Sequence, residues 1–325
     1  MTEDIVLLDG ARTAIGTFGG SLAAIPPTAL AAHAAKAALE RSGVEGAQIG
    51  QVVFGHVINT EPRDMYLSRV AGIEAGVPEE APAMNVNRLC GSGAQAIASA
   101  MQALAMGDAE FAIAGGAESM SRSPYALPAA RWGQKMGDAG AIDMMTGALT
   151  CPFGTGHMGV TAENVAAEQQ ITREDQDAFA LESQTRAKRA LDEGRFAGQI
   201  APIEVTVKRE KVAWATDEHP KPTTAEALAK LRPAFQKDGT VTAGNASGLN
   251  DGAAAVVLAT AKAAERAGLK PKARMLGYAV AGVPPRIMGV GPVPAVTKLL
   301  GKIGLSAGDF DVIESNEAFA AQAIA

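Results

Sequence analysis

The sequence is short of cysteine, of aromatic residues and of positive charge, and each shortage removes a class of protein. Two cysteines in 325 residues cannot build the disulfide framework of a small secreted scaffold. Together with four scattered histidines they give no metal-ligand spacing, so no metal site is expected. A net charge of −6 argues against a nucleic-acid partner and against a polybasic membrane patch. No apolar run approaches the roughly 20 residues that span a bilayer. The N-terminus, Met1-Thr2-Glu3-Asp4, is acidic and leads straight into an apolar stretch. It reads as neither a secretory signal nor a transit peptide, and a cytoplasmic location is expected. The composition, rich in alanine and glycine and poor in aromatics, is that of an ordinary α/β protein.

What is present is an alternation. Residues 5–8 read as a short strand, 28–42 as an Ala-rich helix with Gly43 as its C-cap, 52–57 as a strand and 63–75 as a helix. A strand at 83–87, a helix after residue 90 and a strand at 111–114 follow. Strands alternating with helices predict a mostly parallel sheet covered on both faces.

Cys90 is the most informative residue. It lies in Asn87-Arg-Leu-Cys-Gly-Ser-Gly93, after an apolar stretch at 81–86 that reads as a short buried strand. Apolar residues at helical spacing follow from 94 to 105. At a strand-to-helix junction, backbone N–H groups and the helix dipole favour negative charge. That is the setting in which a cysteine becomes a thiolate nucleophile. Gly91 and Gly93 permit a tight turn and close approach of a substrate. Two other readings stand beside this one. A free cysteine is often a small buried hydrophobe. In addition, Gly91-x-Gly93-x-x-Ala96 with Glu118 downstream matches a dinucleotide fingerprint, which would make the chain a nicotinamide oxidoreductase. Against that, four residues separate the strand from the first glycine, whereas the fingerprint sets it in the turn leaving the strand.

The pattern changes after residue 117. From 118 to 248 the chain carries methionine, proline, tryptophan and most of its charge, with a two-part helical stretch at 161–192 and a helix at 223–231. This span reads as an inserted loop domain. Residues 1–117 then form an N-terminal half, completed within 249–270 by a strand at 253–258 and a helix at 262–267. A weak repeat links 28–57 with 293–315: both read helix, glycine turn, polar loop, strand, which suggests a duplicated fold. The second copy, 271–325, stops inside an apolar helix without a C-cap. It reads as a truncated half with an uncovered strand edge.

Six segments occur in one order: Gly10-Ala-Arg-Thr-Ala-Ile-Gly-Thr-Phe-Gly-Gly20, the Cys90 segment, Gly115-Gly-Ala-Glu-Ser-Met-Ser121, His157-Met-Gly-Val-Thr-Ala-Glu-Asn164, Asn245-Ala-Ser-Gly-Leu-Asn-Asp-Gly252 and Asn316-Glu-Ala-Phe319. Together they closely resemble the thiolase family, the acetyl-CoA acetyltransferases and 3-ketoacyl-CoA thiolases, and in detail the bacterial β-ketothiolases of short-chain acyl-CoA metabolism. The resemblance implies an α/β, five-layer α-β-α-β-α fold with duplicated halves and an inserted loop domain, the second half here incomplete. It implies a reversible Claisen condensation, or thiolysis of 3-ketoacyl-CoA, through a covalent acyl-enzyme. Acetyl-CoA and 3-ketoacyl-CoA would be substrates, no cofactor would be tightly bound, and a homotetramer would form. Cys90 matches the nucleophile. Asn316 matches the asparagine that holds a water in an oxyanion hole. His157 and Met158 match the loop at the pantetheine and acyl pocket, and Ser247 a pantetheine contact. Phe235, Ala243, Ala318 and Phe319 match other walls of that tunnel. Lys221 lies where many relatives place an arginine near the coenzyme A nucleotide, and Ala227 where some have serine.

The resemblance also implies residues that these 325 do not contain. One is a Gly-His-Pro histidine that activates the nucleophile; the other is a later cysteine that moves the α-carbon proton. Cys151, in Thr150-Cys-Pro-Phe153 of the inserted span, is not that cysteine. A second reading is therefore a truncated or split thiolase that binds acyl-CoA without turnover, since a thiolate without its base loses orders of magnitude in rate. Read alone, Asn316 is an N-cap, Ser247 a turn residue, and His56 a polar group at a strand end.

Overall fold

The computed structural model describes residues 3–207 and 209–325. The chain divides into two compact units. The first comprises Met1–Met145, Phe196–His219 and Leu249–Met275; the second comprises Thr146–Arg195, Pro220–Gly248 and Leu276–Ala325. Of the span read as an insertion, 118–145 and 196–219 thus pack with the first unit.

In the first unit the elements follow the predicted alternation: β1 (Ile5–Arg12), α1 (Pro27–Ser42), β2 (Gln51–Gly55), α2 (Leu67–Glu74), β3 (Ala83–Val86), α3 (Ser92–Met106), β4 (Phe111–Ser119) and β5 (Asn250–Thr260). The main strands lie in the order β1-β5-β4-β2-β3, with the short strand Ala273–Arg274 outside β1. β4, β2 and β3 are parallel, joined by the helical crossovers that parallel neighbours require. β5 is antiparallel to both β1 and β4. The sheet is therefore mixed rather than mostly parallel. β5 enters after a long excursion, so no short helical crossover fixes its direction. β3, read as buried, is the sheet's edge, and Met84 on it is exposed. Apolar composition alone does not tell an inner strand from an edge.

Alanines make the close packing possible. Ala31, Ala34, Ala35 and Ala38 on α1 are fully buried in the same cluster as Ala255 and Val257 of β5. Gly43 ends α1 in the left-handed region at φ 71° and donates its N–H to the Leu39 carbonyl, as its placement predicted. Gly115 in β4 has no room for a side chain. A Cβ there would lie 2.4 Å from the Ala254 carbonyl oxygen and 2.6 Å from the Phe54 ring. Gly115→Ala should cost about 3 kcal/mol, read as a lowered urea midpoint. The 196–219 segment is tied in by charge: Arg12 binds Asp217 through both nitrogens at 2.8 and 2.9 Å. Glu218 accepts the N–H groups of Thr17 and Ser21.

In the second unit, the 161–192 stretch forms two helices as expected, α4 (Met158–Glu168) and α5 (Arg173–Asp192). Gln170 at φ 56° breaks the chain between them, and Thr172 caps α5 by accepting the Asp175 N–H. α6 (Pro292–Ile303) ends at Gly304 in the left-handed region, and α7 (Ala320–Ile324) follows. The strand expected at the end of the 293–315 repeat, over 311–315, does not form; Val312 and Ile313 are exposed. No ladder partner lies beside it among the described residues, and a lone strand gains no backbone hydrogen bonds. The N-cap of α7 is Phe319, three residues past Asn316. Among the described residues no helix is long and apolar enough to cross a membrane.

Candidate active site

Cys90 stands exposed in the turn between β3 and α3, so it is not a buried hydrophobe. The turn is built by side chains. The Asn87 carboxamide oxygen accepts the Leu89 N–H at 2.9 Å. Leu89 sits at φ 48°, a left-handed conformation that costs a non-glycine residue about 1–2 kcal/mol. Ser92, buried at the start of α3, closes the loop from both sides. Its hydroxyl accepts the Arg88 N–H at 2.8 Å and donates to the Leu89 carbonyl at 2.6 Å. Sequence reasoning passed over Ser92; a small polar residue directly after the junction was the available signal.

Two glycines let this turn sit where it does. A Cβ on Gly55 would lie 2.6 Å from Ser92 Cβ, and one on Gly116 would lie 3.6 Å from Gly93 Cα. The first turn of α3 therefore rests on the C-terminal ends of β2 and β4, the end of a parallel arrangement at which ligands bind. The dinucleotide reading does not fit. Gly91 has φ −85° as the N-cap and Gly93 is helical, so residues 87–90, not the glycines, make the turn that leaves the strand. Ser92→Ala leaves the Arg88 N–H without its acceptor. It should lower stability by about 1–2 kcal/mol in denaturant unfolding.

The second unit holds the other predicted residues. His157 ends the hairpin formed by Thr150–Cys151 and Gly156–His157 and caps α4, its Nδ1 accepting the Gly159 N–H at 3.1 Å. Its ring stacks on Phe235 with centroids 4.8 Å apart and planes 15° apart. Phe235 in turn meets the edge of Phe319 at 6.1 Å. Desolvation pulls the His157 pKa below its ordinary value, which favours the neutral ring that an accepting Nδ1 requires. Met158 is half-buried and donates its N–H to the Leu149 carbonyl.

Two segments some seventy residues apart pair beside this cluster. The Ser247 N–H donates to the Ala318 carbonyl and the Ala320 N–H to the Asn245 carbonyl, both at 2.9 Å, with Ala246 bridged to Phe319. Ala243, Ser247 and Asn316 are exposed. The loop before them is held from within. The buried Glu163 carboxylate accepts the N–H groups of Thr240 and Val241. The Asn245 carboxamide donates to Asp177 and to the Thr240 carbonyl, and accepts the Thr242 N–H. Neither Glu163 nor Asn245 was singled out from the sequence, although both stand in motif segments. Lys221 is exposed, its N–H bound to the Gln184 side chain. Next to it lies a shallow groove of about 420 Å³ bordered by Thr185, Lys188, Arg189 and Thr223. Cys151 is buried and free. The Thr155 hydroxyl and the N–H groups of Thr155 and Phe153 lower its pKa. Thus the structure brings His157, Phe235 and Phe319 together and Ser247 onto Ala318, while Cys90 belongs to the other unit.

Comparison with known proteins agrees with these motifs. The chain matches the family model of the thiolase N-terminal domain over residues 5–262 and that of the thiolase C-terminal domain over residues 269–325. The beta-ketothiolase BktB of Cupriavidus necator is 58% identical across 100% of this chain and 83% of its own length. An acetyl-CoA acetyltransferase of Thiocystis violacea is 49% identical over the same shares. Among solved structures, human mitochondrial 3-ketoacyl-CoA thiolase superposes with a TM-score of 0.96 at 44% identity, covering 99% of this chain and 82% of that one. The acetyl-CoA acetyltransferase of Bacillus anthracis superposes equally well at 45% identity, over the same shares. The α/β fold is the thiolase fold, and the chain belongs to the thiolase family.

Proposed function

We propose that this chain is an acyl-CoA:acetyl-CoA C-acyltransferase that works through an acyl-enzyme on Cys90. The observation that carries the reading is the exposed thiol held in a strained, side-chain-braced turn at the N-terminus of α3. The Cys90 thiolate attacks the thioester carbonyl; the carbon–sulfur bond to coenzyme A breaks and free coenzyme A leaves with a proton. In condensation, the α-carbon of a second acetyl-CoA, having lost its proton, attacks the acyl-cysteine and regenerates the thiolate. Thiolysis is the reverse. Splitting the transfer in two replaces one hard step by two easier ones.

The family resemblance assigns the remaining roles. Asn316 holds the water that hydrogen-bonds the thioester oxygen, a stabilisation that grows in the transition state. His157, Met158, Phe235 and Phe319 line the acyl and pantetheine path, with Ala243, Ser247 and Ala318 along it. The uncharged His157 ring suits an apolar thioester arm. Lys221 suits the coenzyme A phosphates, which are anions; in the adjoining groove Lys188 is already paired with Asp192.

The reading extends to a homotetramer of the cytoplasm, in short-chain fatty acyl-CoA metabolism. Tyr125, Leu127, Trp132 and Met136 are exposed along one segment of the first unit, and exposed apolar clusters mark interfaces. Two free cysteines, one of them exposed, suit a reducing compartment. The test is acetoacetyl-CoA with free coenzyme A, followed by chromatography. Formation of acetyl-CoA is expected; acetoacetyl-CoA that binds but is not consumed would leave only the binding reading.

A further inference from the structure

At the C-terminal ends of β2 and β4, a buried histidine meets a half-buried glutamate that no role given above uses. His56 Nδ1 lies 2.9 Å from the Ala117 carbonyl, so it carries the proton and donates. The Glu118 carboxylate is 3.5 Å from the same nitrogen. Its two oxygens accept the N–H of Val57 at 2.8 Å and that of Ile58 at 3.2 Å. Residues 56–58 are therefore pinned to β4 by three hydrogen bonds, two of which end on Glu118.

The same three residues are pinned on their other side to the nucleophile's segment. The His56 N–H donates to the Val86 carbonyl at 3.1 Å, at the last residue of β3. The Val57 carbonyl faces the Asn87 side-chain nitrogen at 3.5 Å. Gly55 packs directly on Ser92. Asn87 and Ser92 are the two side chains that hold Leu89 left-handed and fix the Cys90 turn. A continuous run of contacts thus leads from Glu118, through residues 56–58, to Asn87, while the neighbouring Gly55 packs on Ser92.

We propose that Glu118 is a positioning residue for Cys90: through residues 56–58 its carboxylate fixes the place of Asn87, and so of the turn that presents the thiol. It touches no reacting atom. The inference rests on Cys90 being the acylated nucleophile. The charged or titratable groups facing Glu118 are His56, from the end of β2, and Asp64, from the turn before α2. Burial raises the Glu118 pKa and Asp64 adds to the rise, outweighing His56 and the two N–H donors. Asp64 is itself occupied by the Thr60 N–H and hydroxyl and the Glu61 N–H. Protonating Glu118 turns one accepting oxygen into a donor, so the pin loosens on acidification at a pH above the usual carboxylate range.

The experiment measures acylation of Cys90 from acetyl-CoA by rapid quench and peptide mass spectrometry, across the acid range, in the unaltered protein and in Glu118→Gln, Glu118→Asp and Asn87→Ala. For Glu118→Gln, the maximal rate should fall about 10- to 100-fold, the cost of a small misplacement of a reacting group. The half-saturating acetyl-CoA concentration should stay as it was, and the acid limb should vanish. Glu118→Asp should recover part of the rate. Asn87→Ala should show a rate loss of similar size and a flattened acid limb, because it removes the link from Val57 to the turn. An unchanged rate and pH profile in Glu118→Gln, or a loss confined to the half-saturating concentration, would overturn the proposal. Should Glu118→Gln not fold, Asn87→Ala decides: an unchanged rate overturns it. No acetyl group on Cys90 in the unaltered protein would instead sink the nucleophile reading, and the proposal with it.

Discussion

Cys90→Ala should abolish acyl transfer, by on the order of 10⁴-fold or more, while leaving acyl-CoA binding nearly intact. The size follows from what is lost. With the thiol goes the covalent intermediate, and water or free coenzyme A must then meet the thioester directly. Binding survives for a structural reason: the hydrogen bonds that hold the turn run between backbone groups and the Asn87 and Ser92 side chains, not through the sulfur. Asn87, Ser92 and the first backbone hydrogen bonds of α3 keep residues 87–92 in place. The His157–Phe235–Phe319 cluster and the Ser247–Ala318 pairing lie in the second unit. Cys151 cannot substitute, because it is buried. Steady-state thiolysis rates beside calorimetric titration with acetyl-CoA separate the two effects. A variant that kept a substantial rate would remove Cys90 from the chemistry.

Gly159→Ala should raise the KM for acyl-CoA about tenfold and lower stability by about 2–3 kcal/mol. A Cβ at 159 would lie 2.2 Å from atoms of the Phe235 ring. The backbone there cannot retreat easily, because the Gly159 N–H is bound to His157 Nδ1 inside the first turn of α4. The ring must leave the face of His157, which forfeits a stacked pair worth about 1 kcal/mol and adds overpacking of about 1–3 kcal/mol. Phe235 would then also lose its edge contact with Phe319. The effect should fall mainly on KM, since none of these groups is the nucleophile. The double variant Gly159→Ala with Phe235→Leu should regain part of the stability, because the two sites share one contact. Equal urea midpoints for the single and double variants would contradict the steric origin of the loss.

The features legible in the sequence are those that depend on near neighbours. α1 and its Gly43 cap follow from alanine spacing and one glycine. The two helices within 161–192 follow from period and charge. The junction carrying Cys90 is bracketed by a change of period over a few residues. What the sequence concealed depends on residues far apart. The direction of β5 is set by where a long excursion returns the chain to the sheet. The membership of 196–219 in the first unit is set by Asp217 and Glu218 meeting partners two hundred residues away. The 311–315 segment has strand-like residues and no strand to pair with. At the candidate site, motifs exposed Cys90, His157 and Ser247, whereas Ser92, Glu163 and Glu118 act by accepting backbone N–H groups. That role has no periodicity and leaves no spacing to read.

The most direct measurement is a peptide map of the protein after brief exposure to acetyl-CoA. The acyl-enzyme reading predicts an acetyl group on the peptide containing Cys90, lost again when free coenzyme A is added. An acetyl group found on the Cys151 peptide instead, or none on Cys90 while acetoacetyl-CoA is being consumed, would contradict it.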